Sequence, residues 1–181
     1  MIYPIHIYGS PALRQQAAGA TRDQASAKLV ADMFETMRAA NGVGLAAPQI
    51  GVGLNIFVAD LTIYADEDPA LADFRKVFIN PEIYYSSEES ESSEEGCLSL
   101  PGIHEDVTRP VTIRVRYLDD KWNEHDEEYS GYPARVIQHE YDHLRCTVFT
   151  DRISPIRKTM IRSKLGSMSK GKYKASYKTK G

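Results

Sequence analysis

The segment His139-Glu140-Tyr141-Asp142-His143 carries the strongest chemical signature in the sequence. Two histidines four residues apart project from one face of a helix, so both imidazoles can reach a single metal ion. Glu140 stands beside that face, where a carboxylate can take a proton from a water activated by the ion. The plainer alternative is a pair of core histidines satisfied by protein partners. The apolar company of this helix weighs against it, because each buried ring nitrogen without a partner costs about 1–3 kcal/mol. Asp142 is a candidate to accept the outward N–H of a ligating histidine, its plainer role being an exposed carboxylate.

Catalytic metal sites commonly use three protein ligands and keep a further position open, so a third donor has to come from elsewhere. Cys97, in Glu95-Gly96-Cys97-Leu98-Ser99-Leu100-Pro101, is the leading candidate; Gly96 before it permits a sharp or closely approached backbone. His104, His125 and the many carboxylates are alternatives, and a cysteine taken alone is more often a small buried hydrophobe than a ligand. A second unusual segment runs Gly42-Val43-Gly44-Leu45-Ala46-Ala47-Pro48-Gln49-Ile50-Gly51-Val52-Gly53. Its small residues let another part of the chain approach the backbone. It is no phosphate loop, since it lacks the Gly-Lys-Ser/Thr ending and follows a helix pattern where a dinucleotide fingerprint follows a strand.

These residues need elements to hold them. Thr21 with Gln24 has capping-box spacing, and Leu29, Val30, Met33, Phe34 and Met37 share one face, so a first helix is expected from Thr21 or Asp23 to Asn41-Gly42. Leu54–Asp60 and Val77–Asn80 read as strands joined by an acidic, proline-containing loop. Val111–Tyr117 alternates apolar with polar residues, as a sheet with one wet face requires. Asp119-Asp120 turns the chain, and Glu127–Tyr129 finishes a returning strand. Pro133 suits the first turn of a second helix that runs to Leu144 and bears the two histidines. A third is expected from Ser154 and Pro155, using Ile156, Met160, Ile161 and Leu165 before Gly166 stops it.

At 181 residues the chain suits one domain, burying about 70% of the surface exposed by its unfolded form. There is no apolar run of membrane-spanning length and no signal-like leader, so a cytoplasmic protein without a membrane is expected. Two cysteines make no disulfide framework, and reduced thiols fit that address. The net charge of -3 conceals two opposite excesses. Ser86–Glu95 contains only serine and glutamate and reads as a solvated stretch. From Arg157 to the end stand nine lysines or arginines and no acid. Residues 1–166 are expected to form the catalytic domain and 167–181 a flexible basic tail, solvated or attracted to phosphate without reading sequence.

Three blocks, Gly42–Gln49, Glu95–Ser99 and Gln138–Leu144, together resemble the bacterial peptide deformylases in order and spacing, and the likeness runs from about Met1 to about Arg162. It implies an α+β fold with antiparallel sheets around a central metal-binding helix. It implies Cys97, His139 and His143 as metal ligands, Glu140 as the acid/base residue, Gln49 and the Leu98 backbone N–H as donors to the substrate carbonyl, and Gly44 as a point of close approach for the substrate backbone. Val43, Tyr132 and Val136 match the neighbourhood of the methionine pocket, although each has an equally good core reading.

The implied reaction is hydrolysis of the formyl group from formyl-methionyl nascent peptides, releasing formate. One divalent ion is implied, Fe2+ in the cell, with Zn2+, Ni2+ or Co2+ possible in purified protein, since thiolate and imidazole accept all of them. Transient ribosome contact through the basic tail is a further expectation, without sequence-specific nucleic-acid binding. Cys146 stands three residues after His143, where the family pattern has glycine. Two other classes remain at this stage: another zinc hydrolase or peptidase using the His139-Glu140 motif, and a noncatalytic metal- or RNA-binding protein.

Overall fold

The computed structural model describes residues 1–181. In chain order the elements are β1 (Ile5–His6), α1 (Ala27–Ala39), β2 (Gly44–Ala46), β3 (Ile56–Asp60), β4 (Arg75–Ser86), β5 (Ser90–Gly96), β6 (His104–Pro110), β7 (Thr112–Leu118), β8 (Glu124–Ser130), α2 (Gly131–Leu144), α3 (Pro155–Ser169) and β9 (Thr179–Lys180). A five-stranded antiparallel sheet has the order β2-β3-β4-β7-β8, with β2 on an edge. β5 and β6 form a separate hairpin-like pair, and β1 pairs in parallel with β9.

The five-stranded sheet divides the interior by the two-residue period of its strands. Ile56 and Val58 of β3 join Val77 and Ile79 in packing on Val30, Met33, Phe34 and Met37 of α1. The intervening Phe57 and Ala59 face the other way, with Phe78, Ile113 and Val115, onto Ala134, Val136, Ile137 and Leu144 of α2. Both faces of β3 are therefore covered, which is why its sequence is a near-continuous apolar run. A third cluster, with Leu100, Ile103, Val107, Phe149 and Ile161, joins the β5–β6 pair to α3 on the far side of α2. The histidine-bearing helix thus lies between two cores.

Several expectations shift. α1 starts at Ala27 because Ser26 accepts from the Leu29 N–H at 3.2 Å; Thr21 and Gln24 bond each other in an earlier turn. Its stop agrees, Asn41 taking φ 57° and the Gly42 N–H reaching the Met37 carbonyl. The serine and glutamate tract is solvated as expected except at buried Glu95, but it is mostly extended: β4 runs on to Ser86, and β5 takes up Ser90–Gly96 against β6, a pair of strands not expected from the sequence. Cross-strand pairing there overrides poor strand propensity. α3 begins at its Ser154 cap but passes through Gly166 to Ser169, and its expected apolar stripe is split, with Ile161 buried and Ile156 and Met160 exposed at 75% and 64%.

After α3 the chain turns back, so that Thr179–Lys180 lies beside Ile5–His6, with the Ile5 N–H bonded to the Lys178 carbonyl and the Ile7 N–H to that of Lys180, each at 2.9 Å. Cys146 adopts φ 61°, the left-handed backbone that explains why a glycine suits that position. No helix is long and apolar enough to cross a membrane.

Candidate active site

α2 presents His139 and His143 from one face, and the segment after β5 brings Cys97 to meet them. The three donor atoms lie within 4.8 Å of one another, with Cys97 Sγ 3.3 Å from His143 Nε2. One soft thiolate and two imidazoles make a donor set suited to a single late first-row divalent ion. His104 and His125 take no part in this group. Glu140 Oε2 is buried without a hydrogen-bond partner beside it, as is His143 Nδ1. The residues therefore fit a metal centre with an unengaged carboxylate next to it.

The ligand helix is fastened by an ionic network that composition did not disclose. Glu95, buried at the end of β5, accepts from Arg109 Nε at 2.6 Å, Arg135 Nη1 at 2.7 Å and His139 Nδ1 at 2.8 Å. Since Nδ1 of His139 is so engaged, Nε2 is left for an ion, and the carboxylate fixes the ring. Arg109 also reaches Asp142 at 2.9 Å, and Arg152 grips Asp142 with two bonds of 2.6 Å. Asp142 is thus tied to arginines and orients neither histidine directly, which corrects its sequence reading. Its buried position comes from facing the β5–β6 side of α2. The overlooked clue was the inward phase of β6, where Glu105, Val107 and Arg109 alternate with exposed residues.

These contacts pull the site's titrations apart. Burial alone raises Glu95, but the bonds from Arg109 and His139 outweigh it and hold the carboxyl at about 2. Burial pushes Glu140 up to about 7, against the attraction of His139. Burial lowers both imidazoles, yet His139 ends well above the ordinary histidine value because neighbouring Cys97 and Glu95 favour its charged form. His143 stays well below, lowered further by the charge of His139.

The glycine-rich segment packs under these groups. A Cβ on Gly44 would collide with Glu140 Oε1, and one on Gly42 would stand 2.6 Å from the Leu98 side chain. Gly44 thus leaves room for the carboxylate of α2. In the β2–β3 ladder the Asp60 N–H bonds to the Val43 carbonyl, so Gly44, next along, turns its own N–H and C=O to the open edge. Gln49, in a short 3-10 turn, anchors its Oε1 on the Ala46 N–H at 2.8 Å. Its Nε2 faces Ser99 Oγ at 3.1 Å and Cys97 Sγ at 3.6 Å. The Leu98 N–H donates to no group of the protein.

A cleft of about 500 Å³ opens over this centre, lined by Val43, Gly44, Gln49, Cys97, Leu98, Tyr132, Val136, His139 and Glu140 among others. Val136 is buried while Tyr132 is 44% exposed and meets Tyr64 edge-on at 5.4 Å. Tyr64 was not anticipated, because it ends a short 3-10 turn, Thr62–Tyr64, that has no apolar period. Lys174, Ala175, Ser176 and Tyr177 of the C-terminal segment complete one wall.

An α+β domain whose buried helix pairs two histidines with a cysteine and a free carboxylate defines a metal-dependent hydrolase. Residues 2–159 match the family model described as polypeptide deformylase. A peptide deformylase of Cytophaga hutchinsonii is 48% identical, covering 99% of this chain and 97% of that one. The crystal structure of peptide deformylase from Thermus thermophilus superposes with a TM-score of 0.84 at 38% identity, covering 95% of this chain and 100% of that one. That from Thermotoga maritima gives 0.77 at 40% identity, covering 86% and 99%. The chain belongs to the peptide deformylase family, and its activity is the hydrolytic removal of the formyl group from nascent polypeptides.

Proposed function

We propose that Cys97, His139 and His143 hold the ion and that Glu140 moves the proton. The observation that carries this assignment is the convergence of the three donor atoms beside a buried carboxylate oxygen that no protein group engages. A divalent ion bound there supplies Lewis acidity, easing deprotonation of water and polarising the formyl oxygen. Glu140 accepts the proton from the attacking water and returns it to the departing amine, so that formate and a free N-terminus leave. Gln49 Nε2 and the Leu98 N–H donate to the formyl oxygen as negative charge builds on it, each donor worth about 3 kcal/mol in comparable sites.

Substrate orientation follows from the open edge of β2. A nascent chain added there as an extra strand bonds to the outward N–H and C=O of Gly44. Its methionine side chain then enters the cleft beside Val43, Tyr132 and Val136. Glu140→Gln retains the metal and the fold and lowers turnover about 10²–10⁴-fold, measured on a formyl-methionyl peptide together with elemental analysis. Retained turnover removes Glu140 from proton transfer.

The same reading assigns ferrous iron in the cytoplasm, supported by a donor set that accepts iron and by two free cysteines that call for a reducing compartment. Metal analysis after anaerobic purification tests it. It also assigns a transient ribosome contact to the basic C-terminal region, supported by the run of lysines and arginines on α3 and beyond. Replacing Lys170 and Lys172 by serine weakens co-sedimentation with ribosomes at low salt, with unchanged hydrolysis of a short peptide. Equal sedimentation at every salt removes those lysines from the contact.

A further inference from the structure

The peptide unit joining Leu98 to Ser99 is held at both ends. Its carbonyl accepts from the Tyr177 hydroxyl at 2.6 Å, and its N–H, that of Ser99, lies 3.4 Å from Cys97 Sγ. No backbone N–H of the protein reaches the Leu98 carbonyl, so the tyrosine is its only protein donor. The next peptide is fixed separately, its Ser99 carbonyl accepting from the Tyr8 N–H at 2.8 Å.

Tyr177 comes from the C-terminal segment, beyond the residues 2–159 that match the family model. That segment is fastened independently of the metal centre, through the β1–β9 pairing and a 3.0 Å bond from the Tyr173 hydroxyl to Thr179 Oγ1. The Tyr177 ring packs on the α1 core, which fixes where its hydroxyl stands. A donor on the carbonyl of a peptide polarises the whole unit and strengthens the bond made by its N–H.

We propose that Tyr177 is a positioning residue of the metal centre, holding the Leu98–Ser99 peptide so that its N–H stays on the Cys97 sulfur. The C-terminal strap then contributes to metal binding without touching the ion. Partners of this outer kind orient a ligand and set its donor strength, with effects of about 10–100-fold on affinity or activity. The proposal rests on the assignment of Cys97 as a ligand.

The test uses metal-free wild-type protein and the variants Tyr177→Phe, Tyr173→Phe and Cys97→Ala, titrated anaerobically with Co2+ while the thiolate-to-cobalt charge-transfer absorption is followed. Tyr177→Phe keeps the ring and loses only the hydroxyl. Its thermal midpoint stays within about 3 °C of wild type. It binds Co2+ about tenfold more weakly, with a displaced absorption band. Tyr173→Phe, which removes a bond inside the strap, binds as wild type does. Wild-type affinity and band position in Tyr177→Phe overturn the proposal, and so does equal weakening in Tyr173→Phe, which signals general loosening. Cys97→Ala separates the two readings: loss of the band supports the ligand assignment, and its retention overturns that assignment whatever Tyr177 does.

Discussion

α2 and α3 begin alike and end up in different surroundings. Each has proline in its first turn and apolar residues at helical spacing, yet nine residues of α2 are buried and only Ile161 and Met168 of α3. α2 lies between the five-stranded sheet and the β5–β6 pair, so both its sides meet other elements, and even Arg135, Asp142 and His143 are enclosed. α3 rests on one cluster and turns its other side, with Ile156 and Met160, to solvent. An apolar period states which residues can be buried; neighbours decide which are. For the metal centre the consequence is that rigidity comes from ion pairs above α2 as much as from the sheet below it.

The sharpest way to break this contrast is at Arg109, the cation shared by Glu95 and Asp142. Arg109→Ala leaves two buried carboxylates short of a partner, and removing one member of such a network costs about 3–5 kcal/mol. Arg135 and Arg152 remain in place, so the lower end is expected. Urea unfolding checks the loss, and metal content checks whether the His139 ring has been released with it. A change under about 1 kcal/mol, small against that range, shows that α2 is held by apolar packing alone.

A smaller effect is expected on α3, where two isoleucines five residues apart sample the buried and exposed sides. Ile161→Ala costs about 2–4 kcal/mol by opening a cavity against the third cluster. Ile156→Ser stays within about 0.5 kcal/mol. Thermal or urea unfolding of the pair measures the difference directly, and equal losses mean that Ile156 is covered in solution.

The legibility of the sequence follows the same physics. The His139–His143 spacing, the proline in the first turn of α2, the Ser154 cap of α3 and the alternation of β7 are local properties, and all are visible in the chain. Cys97 and His143 stand 46 positions apart in the chain, so their closeness leaves no local mark, and the sequence alone offered Cys97 as one candidate among several until the family resemblance was added. Glu95 looked like the last member of a solvated acidic tract because its arginine partners come from β6 and α2. β5 shows no burial period of its own, and only the inward phase of β6 hints at the pairing. Tyr177 was hidden for a similar reason: the lysines around it suggested a free end, while the bonds that seat the strap belong to β1 and to the Cys97 segment.

The smallest effect concerns the single ion pair that links α3 to β6. Glu105 is buried on the inward phase of β6, and Arg157 on α3 reaches its two oxygens at 2.7 and 2.8 Å from a half-exposed position. The hydrogen bonds from Arg157 lower the Glu105 carboxyl below its ordinary range, overcoming the opposing effect of burial, and Lys164 adds to the pull. A depressed folded value means that the unfolded chain binds the proton more readily, so the stabilisation is complete above the unfolded glutamate value of about 4.3 and fades as pH falls through the folded one. Arg157→Gln removes the cation and keeps a polar side chain. Its thermal midpoint falls below that of wild type at about pH 7, and the gap narrows as the solution is acidified past about pH 4, because protonated Glu105 has little to gain from an arginine. A gap that widens on acidification reverses the sign and assigns the effect of Arg157 to helix packing, while a gap constant with pH leaves α3 attached by its apolar side alone, the opposite of the charge-fastened α2.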